Sequence, residues 1–190
     1  SHDLTIEFAT QLILDVRSMA STGKVGVAYS STPIATAGAG VRHFTATGLP
    51  NGLTISPLTG AITGKPLVSG TFNVRITGSD DITTVADYID NGSGTDVLRT
   101  GPAPLTLVVA AADPIVINTG SLPAAVMAGQ RVTATMSATG GVSPYTWTAS
   151  GVPSGIVWDS TMHTFDGVPT ASDIYNIAIT ATDSLGAVKS

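Results

Sequence analysis

Short segments that contain apolar residues are spaced along this chain, and the same order of segments occurs twice. The segments span residues 12–16, 27–34, 43–46 and 71–78 in the first half, and 115–117, 132–136, 145–149 and 174–181 in the second. Apolar and small polar residues alternate at 71–78 and 174–181, and a period of two residues is typical of strands with one buried face. Because Gly and Pro residues separate the segments as turns would, the pattern predicts an all-β fold of two immunoglobulin-like sandwiches with about seven short strands each.

The second half of the chain repeats the first at a constant distance of 103 residues, from Phe44 to Asp81. Gly64-Lys65-Pro66, for example, is matched by Gly167-Val168-Pro169. A repeat of this length predicts two domains. We expect one domain at residues 12–111, with an insertion at 82–103 that has no counterpart, and a second domain at residues 112–190.

Three sequence motifs of the first copy resemble a known repeat. They are Gly-Leu-Pro-Asn-Gly-Leu-Thr-Ile at 48–55, Thr-Gly-Ala-Ile-Thr-Gly-Lys-Pro at 59–66, and Gly-Thr-Phe at 70–72 before a Thr-rich strand that ends at Asp80. They resemble the bacterial "putative Ig" (He-PIG) repeat, although the second copy has Met162-His163 in place of the Thr-Gly turn. The resemblance implies cadherin-like sandwiches in tandem, of a family that serves mainly as spacer, adhesive or structural modules of surface and secreted proteins.

The composition narrows the classes of partner. Charged residues make up 11% of the chain and the net charge is −5, so there is no basic cluster to bind nucleic acid or an anionic membrane. No apolar run reaches the roughly 18 residues of a membrane span. The low charge and the many Thr and Ser residues favour an extracellular or cell-surface protein, and we expect its leader to be absent from this sequence.

The sequence does not predict an enzyme. His2, His43 and His163 are far apart, no Gly-x-Ser-x-Gly motif is present, and Glu7 is the only glutamate. With no cysteine, disulfides and thiolate metal sites are excluded. We therefore expect no cofactor apart from one open alternative, which is calcium.

The calcium alternative concerns the insertion at 82–103, which contains Asp87, Asp90 and Asp96. The simpler interpretation of this segment is a solvated loop or an excursion at one end of the sandwich. Carboxylates of this kind could also bind calcium, although their spacing does not match an EF-hand loop. Trp147 and Trp158 are expected in the core of the second domain rather than on a sugar-binding platform, and a host or matrix glycan or protein is left open as a partner.

The N-terminal segment resembles the last strand of the first domain. Leu4, Ile6 and Phe8 alternate as Leu105, Leu107 and Val109 do. Six positions separate Phe8 from Leu14, and six separate Val109 from Ile115. Residues 1–11 are therefore interpreted as a donor strand that precedes the first strand of a domain.

The second domain has no segment of this kind after residues 174–181, so we expect an open edge and an apolar acceptor groove formed by Tyr175, Ile177 and Ile179. The leading hypothesis is a homopolymer that grows head-to-tail, in which the donor strand of one copy completes the second domain of the next. The alternative is a fragment of a larger surface adhesin or phage-surface protein that acts as a spacer or as a ligand- or glycan-binding module.

Overall fold

The computed structural model describes residues 10–81, 85–90, 97–120 and 122–190. Within these ranges the chain forms strands joined by turns, and there is no helix of a length and apolarity that would cross a membrane. The chain divides into two compact units between Ala111 and Ala112, which we call the N-terminal and C-terminal domains. The predicted all-β fold is confirmed.

The N-terminal domain consists of three sheets, in which the strand orders are β10-β9-β1-β4, β2-β11-β8-β5 and β3-β7-β6. These strands are β1 (Ile13–Asp15), β2 (Thr22–Lys24), β3 (Tyr29–Ser31), β4 (Ile34–Thr36), β5 (His43–Thr47), β6 (Leu53–Ile55), β7 (Ile62–Gly64), β8 (Gly70–Ser79), β9 (Asp87–Asp90), β10 (Val97–Thr100) and β11 (Ala103–Ala110). The predicted strand at 27–34 is divided into β3 and β4 because Pro33, which has no backbone N–H, lies between them.

The last strand, β11, forms the centre of this domain. It alternates strictly, with Ala103, Leu105, Leu107 and Val109 buried and the residues between them exposed. It pairs antiparallel with β8 from Ala103 opposite Ile76 to Val109 opposite Gly70. On its other side its end runs parallel to β2. The core of the domain therefore depends on a strand that is held on both edges.

Two strands of the insertion extend the sheet that contains β1. β9 runs parallel to β1, with Ile13 opposite Asp87, and β10 pairs with β9. The Asp87 backbone N–H also donates to the Leu12 carbonyl at 3.0 Å. The insertion is therefore an excursion of the chain rather than a solvated loop at β9 and β10, because β9 pairs with the edge of β1 and β10 pairs with β9.

The C-terminal domain repeats this architecture with fewer strands, arranged as β12-β14, β13-β17-β16 and β15-β18-β19. These strands are β12 (Val116–Asn118), β13 (Val132–Thr135), β14 (Ser137–Thr139), β15 (Thr146–Ser150), β16 (Ile156–Asp159), β17 (Thr164–Gly167), β18 (Ala178–Thr182) and β19 (Val188–Lys189). Its core contains Trp147 and Phe165, and the ring of Trp158 packs on Phe165 at a centroid distance of 4.5 Å. The expectation for the two tryptophans is confirmed.

The 103-residue repeat in the sequence is also a repeat in space. Tyr29 lies opposite Gly64 in the first domain, and Val132 lies opposite Gly167 in the second. Gly26 donates to the Pro66 carbonyl at 2.8 Å, and its counterpart Gly129 donates to Pro169 at 3.0 Å. Positions 103 residues apart can therefore be compared one by one.

Candidate functional site: an open strand edge in the C-terminal domain

The strand β18 is half as long as its counterpart in the N-terminal domain. β8 covers Gly70–Ser79, which corresponds to residues 173–182, whereas β18 covers only Ala178–Thr182. The sequence predicted a strand at 174–181, and this prediction is wrong for residues 174–177, which are not in a strand. The missing half of the strand is the first feature of the site.

The reason lies in the partners of β8. Its neighbour β5 pairs with it only from Arg75 onward, so Gly70 to Val74 pair with β11 alone. In the C-terminal domain β15 likewise begins its pairing at Ala178. The opposite edge of β18 pairs with β19 only, at Ala181 and Thr182. Among the described residues of this domain no strand takes the place of β11, so residues 173–177 have no strand partner on either side.

The three side chains predicted to form the acceptor groove differ in their environments. Tyr175 is 39% exposed, and its neighbour Ile174 is 89% exposed. Ile177 is half-buried against the core, whereas its counterpart Val74 is only 1% exposed. Ile179 lies inside β18 and belongs to the buried core of the domain. The structure therefore places Tyr175 and Ile177 at the open edge and Ile179 beneath it.

A second unpaired segment faces residues 173–177 across the opening. Ala125, Val126 and Met127 correspond to β2, which pairs only with β11 in the N-terminal domain. They are not in a strand here, and Val126 is 38% exposed. Sequence reasoning did not find this wall, since neither copy of the segment alternates and the three residues of β2 resemble a loop.

Between the two segments lies a cavity of about 660 Å³, which we call the edge groove. One wall is formed by residues 124–126 and the other by residues 173–177, while Val132, Pro153 and Ile156 contribute to the floor. In the N-terminal domain β11 lies between the two corresponding walls, β2 and β8. The edge groove therefore lies at the position that one β-strand, β11, occupies in the N-terminal domain.

Most of the side chains around the edge groove are apolar. The one carboxylate in its lining is that of Asp173, which accepts a hydrogen bond from the Ile174 backbone N–H at 2.7 Å. Such a lining suits an extended apolar segment, whose backbone would pair with two walls that have no strand partner. Among the described residues that line the groove, Asp173 is the one carboxylate and no histidine stands beside it.

A buried carboxylate fixes the turn that follows β18. Asp183 accepts hydrogen bonds from the backbone N–H groups of Val142, Leu185 and Ala187 at 2.8–2.9 Å and is 6% exposed. Burial raises the pKa of Asp183, but these backbone donors outweigh it and hold the pKa below its ordinary value. The turn directs β19 back along β18, where Val188 lies opposite Thr182.

Only some of the remaining predicted site residues are among those that the structure describes. Leu4, Ile6 and Phe8 are outside the described residues, as is Asp96. Asp87 and Asp90 belong to β9. In the ranges that the structure covers, no three His, Asp or Glu side chains converge on a point that could hold a metal ion, and the calcium alternative stays a prediction.

Several solved structures share low similarity with this chain. An α-galactosidase/melibiase assigned in Bacteroides fragilis is 16% identical over 56% of the chain, with a TM-score of 0.37, and this chain spans only 20% of its length. Fibronectin(III)-like modules of Clostridium thermocellum CbhA are 13% identical over 94% of this chain and 89% of theirs, with a TM-score of 0.31. Mouse cadherin-23 EC22-24 is 15% identical over 91% of this chain and 59% of its own, with a TM-score of 0.30. At these scores the similarities carry no functional argument.

The sequence comparison with families is more decisive. No curated protein matches the chain at a significant level. The family described as "Putative Ig domain" (He_PIG) matches residues 12–90 and 114–190, which together are most of the chain and fall on either side of the boundary between the two domains. The resemblance found in the motifs at 48–55, 59–66 and 70–72 is thereby confirmed. The chain belongs to the He_PIG family and contains two of its immunoglobulin-like domains in tandem.

Proposed function

We propose that this protein is a non-enzymatic, extracellular structural subunit that assembles head-to-tail by donor-strand complementation. Residues 4–8 of one copy would occupy the edge groove of another copy. The observation that carries the proposal is the edge groove itself. It occupies the place in the C-terminal domain that corresponds to β11, the strand that completes the N-terminal domain. Adhesive or spacer modules of surface proteins are the setting in which this family is expected, and the low charge of the chain supports that setting.

The donor segment is chosen by its pattern. In β11 the inward residues Leu105 and Leu107 are buried, and Val109 is 2% exposed. Leu4, Ile6 and Phe8 provide apolar side chains at the same three alternating positions. Burying three side chains of this size stabilises a complex by on the order of 5–8 kcal/mol before entropy is subtracted. About five backbone hydrogen bonds would be added by strand pairing.

The connection that follows the donor favours a second copy as the acceptor. The structural counterpart of Ile115 is Leu12, because Thr10 accepts a hydrogen bond from Gly38 as Asp113 does from Gly141. Both Leu12 and Ile115 are buried, Leu12 four positions after Phe8 and Ile115 six positions after Val109, so the connection after the donor is two residues shorter. At residues 105–115, this connection leads from the strand that completes one domain into the core of the next domain. By the same logic, residues 4–8 would complete a domain that precedes the N-terminal domain, namely the C-terminal domain of another molecule.

The proposal is tested by charging the inward face of the donor. A variant with Leu4→Asp, Ile6→Asp and Phe8→Asp should stay monomeric, whereas the parent chain should form filaments whose length rises with concentration. The matched control changes the outward positions, Thr5→Ser and Glu7→Gln, and should assemble like the parent. Light scattering after size exclusion gives the mass, and negative-stain electron microscopy shows the filaments.

A second candidate function is a spacer module within a longer surface polypeptide. The observation in its favour is β19, whose two residues pair with Ala181 and Thr182 on the edge of β18 that β11 would occupy. A strand continuing from β19 would then fill the edge groove in cis. A parent chain that stays monomeric at every concentration, and whose mass the Asp variant leaves unchanged, would overturn strand donation and favour this candidate.

A further inference from the structure

We infer that the edge groove accepts its strand in one polarity and one register, and that it holds the strand by both walls. The donor would run antiparallel to residues 173–177, with Leu4 opposite Ile177, Ile6 opposite Tyr175 and Phe8 opposite Asp173. It would at the same time run parallel to residues 125–127. This inference rests on the proposed function and specifies the contact surface that the partner copy meets.

The register against residues 173–177 follows from the N-terminal domain. There Leu105 lies opposite Val74, Leu107 opposite Phe72 and Val109 opposite Gly70. The residues of the C-terminal domain that correspond to Val74, Phe72 and Gly70 are Ile177, Tyr175 and Asp173, respectively. A shift by one residue would turn every apolar donor side chain to solvent, so the alternation of Leu4, Ile6 and Phe8 excludes all odd shifts. Among the even shifts, the match of Leu4-Thr5 to Leu105-Thr106 selects this register.

The second wall fixes the polarity. β11 is parallel to β2, with Val108 opposite Thr22 and Val109 opposite Gly23. Thr22 and Gly23 correspond to Ala125 and Val126 of the C-terminal domain. Glu7 of the donor would therefore lie opposite Ala125, and Phe8 opposite Val126. A strand inserted in the reverse direction would be antiparallel to this wall and would also place the connection to β1 at the wrong end of the groove.

The strand β19 leaves this slot free. Ala181 lies opposite Lys189, so a continuation of the same register would place position 190 opposite Thr180. The groove opposite Asp173 to Ile177 therefore begins beyond β19. A donor can enter it without displacing the turn that Asp183 holds, and it needs only to convert two unpaired segments into strands.

Disulfide trapping tests the register and the polarity directly. The chain has no cysteine, so introduced cysteines have no background. Opposed Cα atoms in an antiparallel pair are about 4.5–5.5 Å apart, and neighbouring strands in general lie about 4.7–4.9 Å apart. Both distances are within the roughly 4.4–6.8 Å that a disulfide spans, whereas diagonal positions are too far. A Leu4→Cys chain mixed with an Ile177→Cys chain should give a disulfide-linked dimer under oxidation, and so should Phe8→Cys with Asp173→Cys and Glu7→Cys with Ala125→Cys.

The matched controls exchange the partners. Leu4→Cys with Asp173→Cys, and Phe8→Cys with Ile177→Cys, are the pairs of the reverse polarity and should give no dimer. Each variant is examined by electron microscopy beside the gel. Filaments with cross-links only in the exchanged pairs, or in none, would overturn the inferred register while leaving strand donation in place. If the parent chain forms no filaments and none of the cysteine pairs forms a cross-link, both the inferred register and strand donation are overturned.

Discussion

Val74 lies directly opposite Leu105, and this pairing seals Val74 to 1% exposure in the N-terminal domain. Its counterpart Ile177 occupies the same place on the repeated fold but stays half-buried, because no residue of the described chain lies opposite it. The same type of side chain at the same position of two copies therefore has two different energetic roles, which mutation can separate.

Truncating the two side chains should have unequal effects on the free energy of unfolding. We expect Val74→Ala to cost about 2 kcal/mol, since a cavity forms in a closed core. Ile177→Ala should cost about 1 kcal/mol or less in a monomer, because much of its surface is already in water. Calorimetry, which resolves the transitions of both domains, measures the two losses.

The exposed position of Ile177 also leads to a prediction about filament assembly. If Ile177 faces the donor strand, Ile177→Ala should weaken filament formation although it hardly changes the monomer. Equal losses of stability for Val74→Ala and Ile177→Ala in a monomeric background, such as the Leu4→Asp, Ile6→Asp and Phe8→Asp variant, would contradict the open edge.

Acid should destabilise the C-terminal domain through Asp183. Because its pKa is depressed in the folded state, its carboxylate contributes stability that is fully present above its unfolded pKa of about 4. That contribution is lost as the pH falls through the folded pKa. Asp183→Asn removes an acceptor from buried N–H groups and should cost about 1–3 kcal/mol at pH 7, with the difference from the parent shrinking toward low pH.

Tryptophan fluorescence is a suitable measurement, because Trp147 and Trp158 are the only tryptophans and both lie in the C-terminal domain. Denaturant curves at several pH values give the free energy of unfolding. Asp173→Asn, which alters an exposed carboxylate bonded to the N–H of its own neighbour, is the control and should leave the curve nearly unchanged. If the difference in free energy of unfolding between Asp183→Asn and the parent grew on acidification, the stabilising role assigned to the Asp183 carboxylate would be wrong.

Gly151 should not tolerate a side chain. Its φ is +71°, and a Cβ there would lie 2.2 Å from the carbonyl oxygen of Asn176, a backbone atom of the groove wall. Gly129 has φ +85° with nothing within 4 Å of its Cβ position. We expect Gly129→Ala to cost about 1–2 kcal/mol from backbone strain alone and Gly151→Ala roughly 3 kcal/mol or more.

The comparison of these two glycines isolates steric contact from conformation. Tryptophan fluorescence again reports the domain concerned. Similar losses for both alanine variants would mean that strain from the positive φ accounts for the whole effect and that the wall yields to the added methyl group.

A peptide should bind the groove when the resident donor is disabled. In the Leu4→Asp, Ile6→Asp and Phe8→Asp chain, a synthetic peptide of residues 2–11 should raise the unfolding temperature of the C-terminal domain. The gain in stability is about 2.7 kcal/mol at one hundred times the dissociation constant. Hydrogen exchange should slow at residues 125–127 and 173–177. A scrambled peptide is the control, and protection elsewhere or none at all would count against the groove.

The parts of this fold that could be predicted from the sequence are those with local signals. The alternation in 71–78 and the repeated glycines and prolines located β8, the turns and the two domains, because each signal arises within a few residues. The core position of Trp147 followed from the same pattern. These features need no knowledge of what lies beside them.

The parts that could not be predicted depend on neighbours distant in the sequence. Residues 174–177 alternate as a strand should, but alternation does not reveal whether another strand is available to pair with them. β2 is only three residues long and is held by parallel bonds to β11. The strands β9 and β10 were missed because the sequence does not show that the edge of β1 is available to β9, which in turn pairs with β10.

The antiparallel pair of β9 and β10 has one more consequence. By using the hydrogen-bonding groups along the outside of β1, it shields that first strand from sideways association with foreign strands and leaves β10 outermost in the sheet. No described residue shields β12 of the C-terminal domain in this way. Misassembly during synthesis or storage should therefore begin in the second half of the molecule, and stabilising variants for handling the protein belong there.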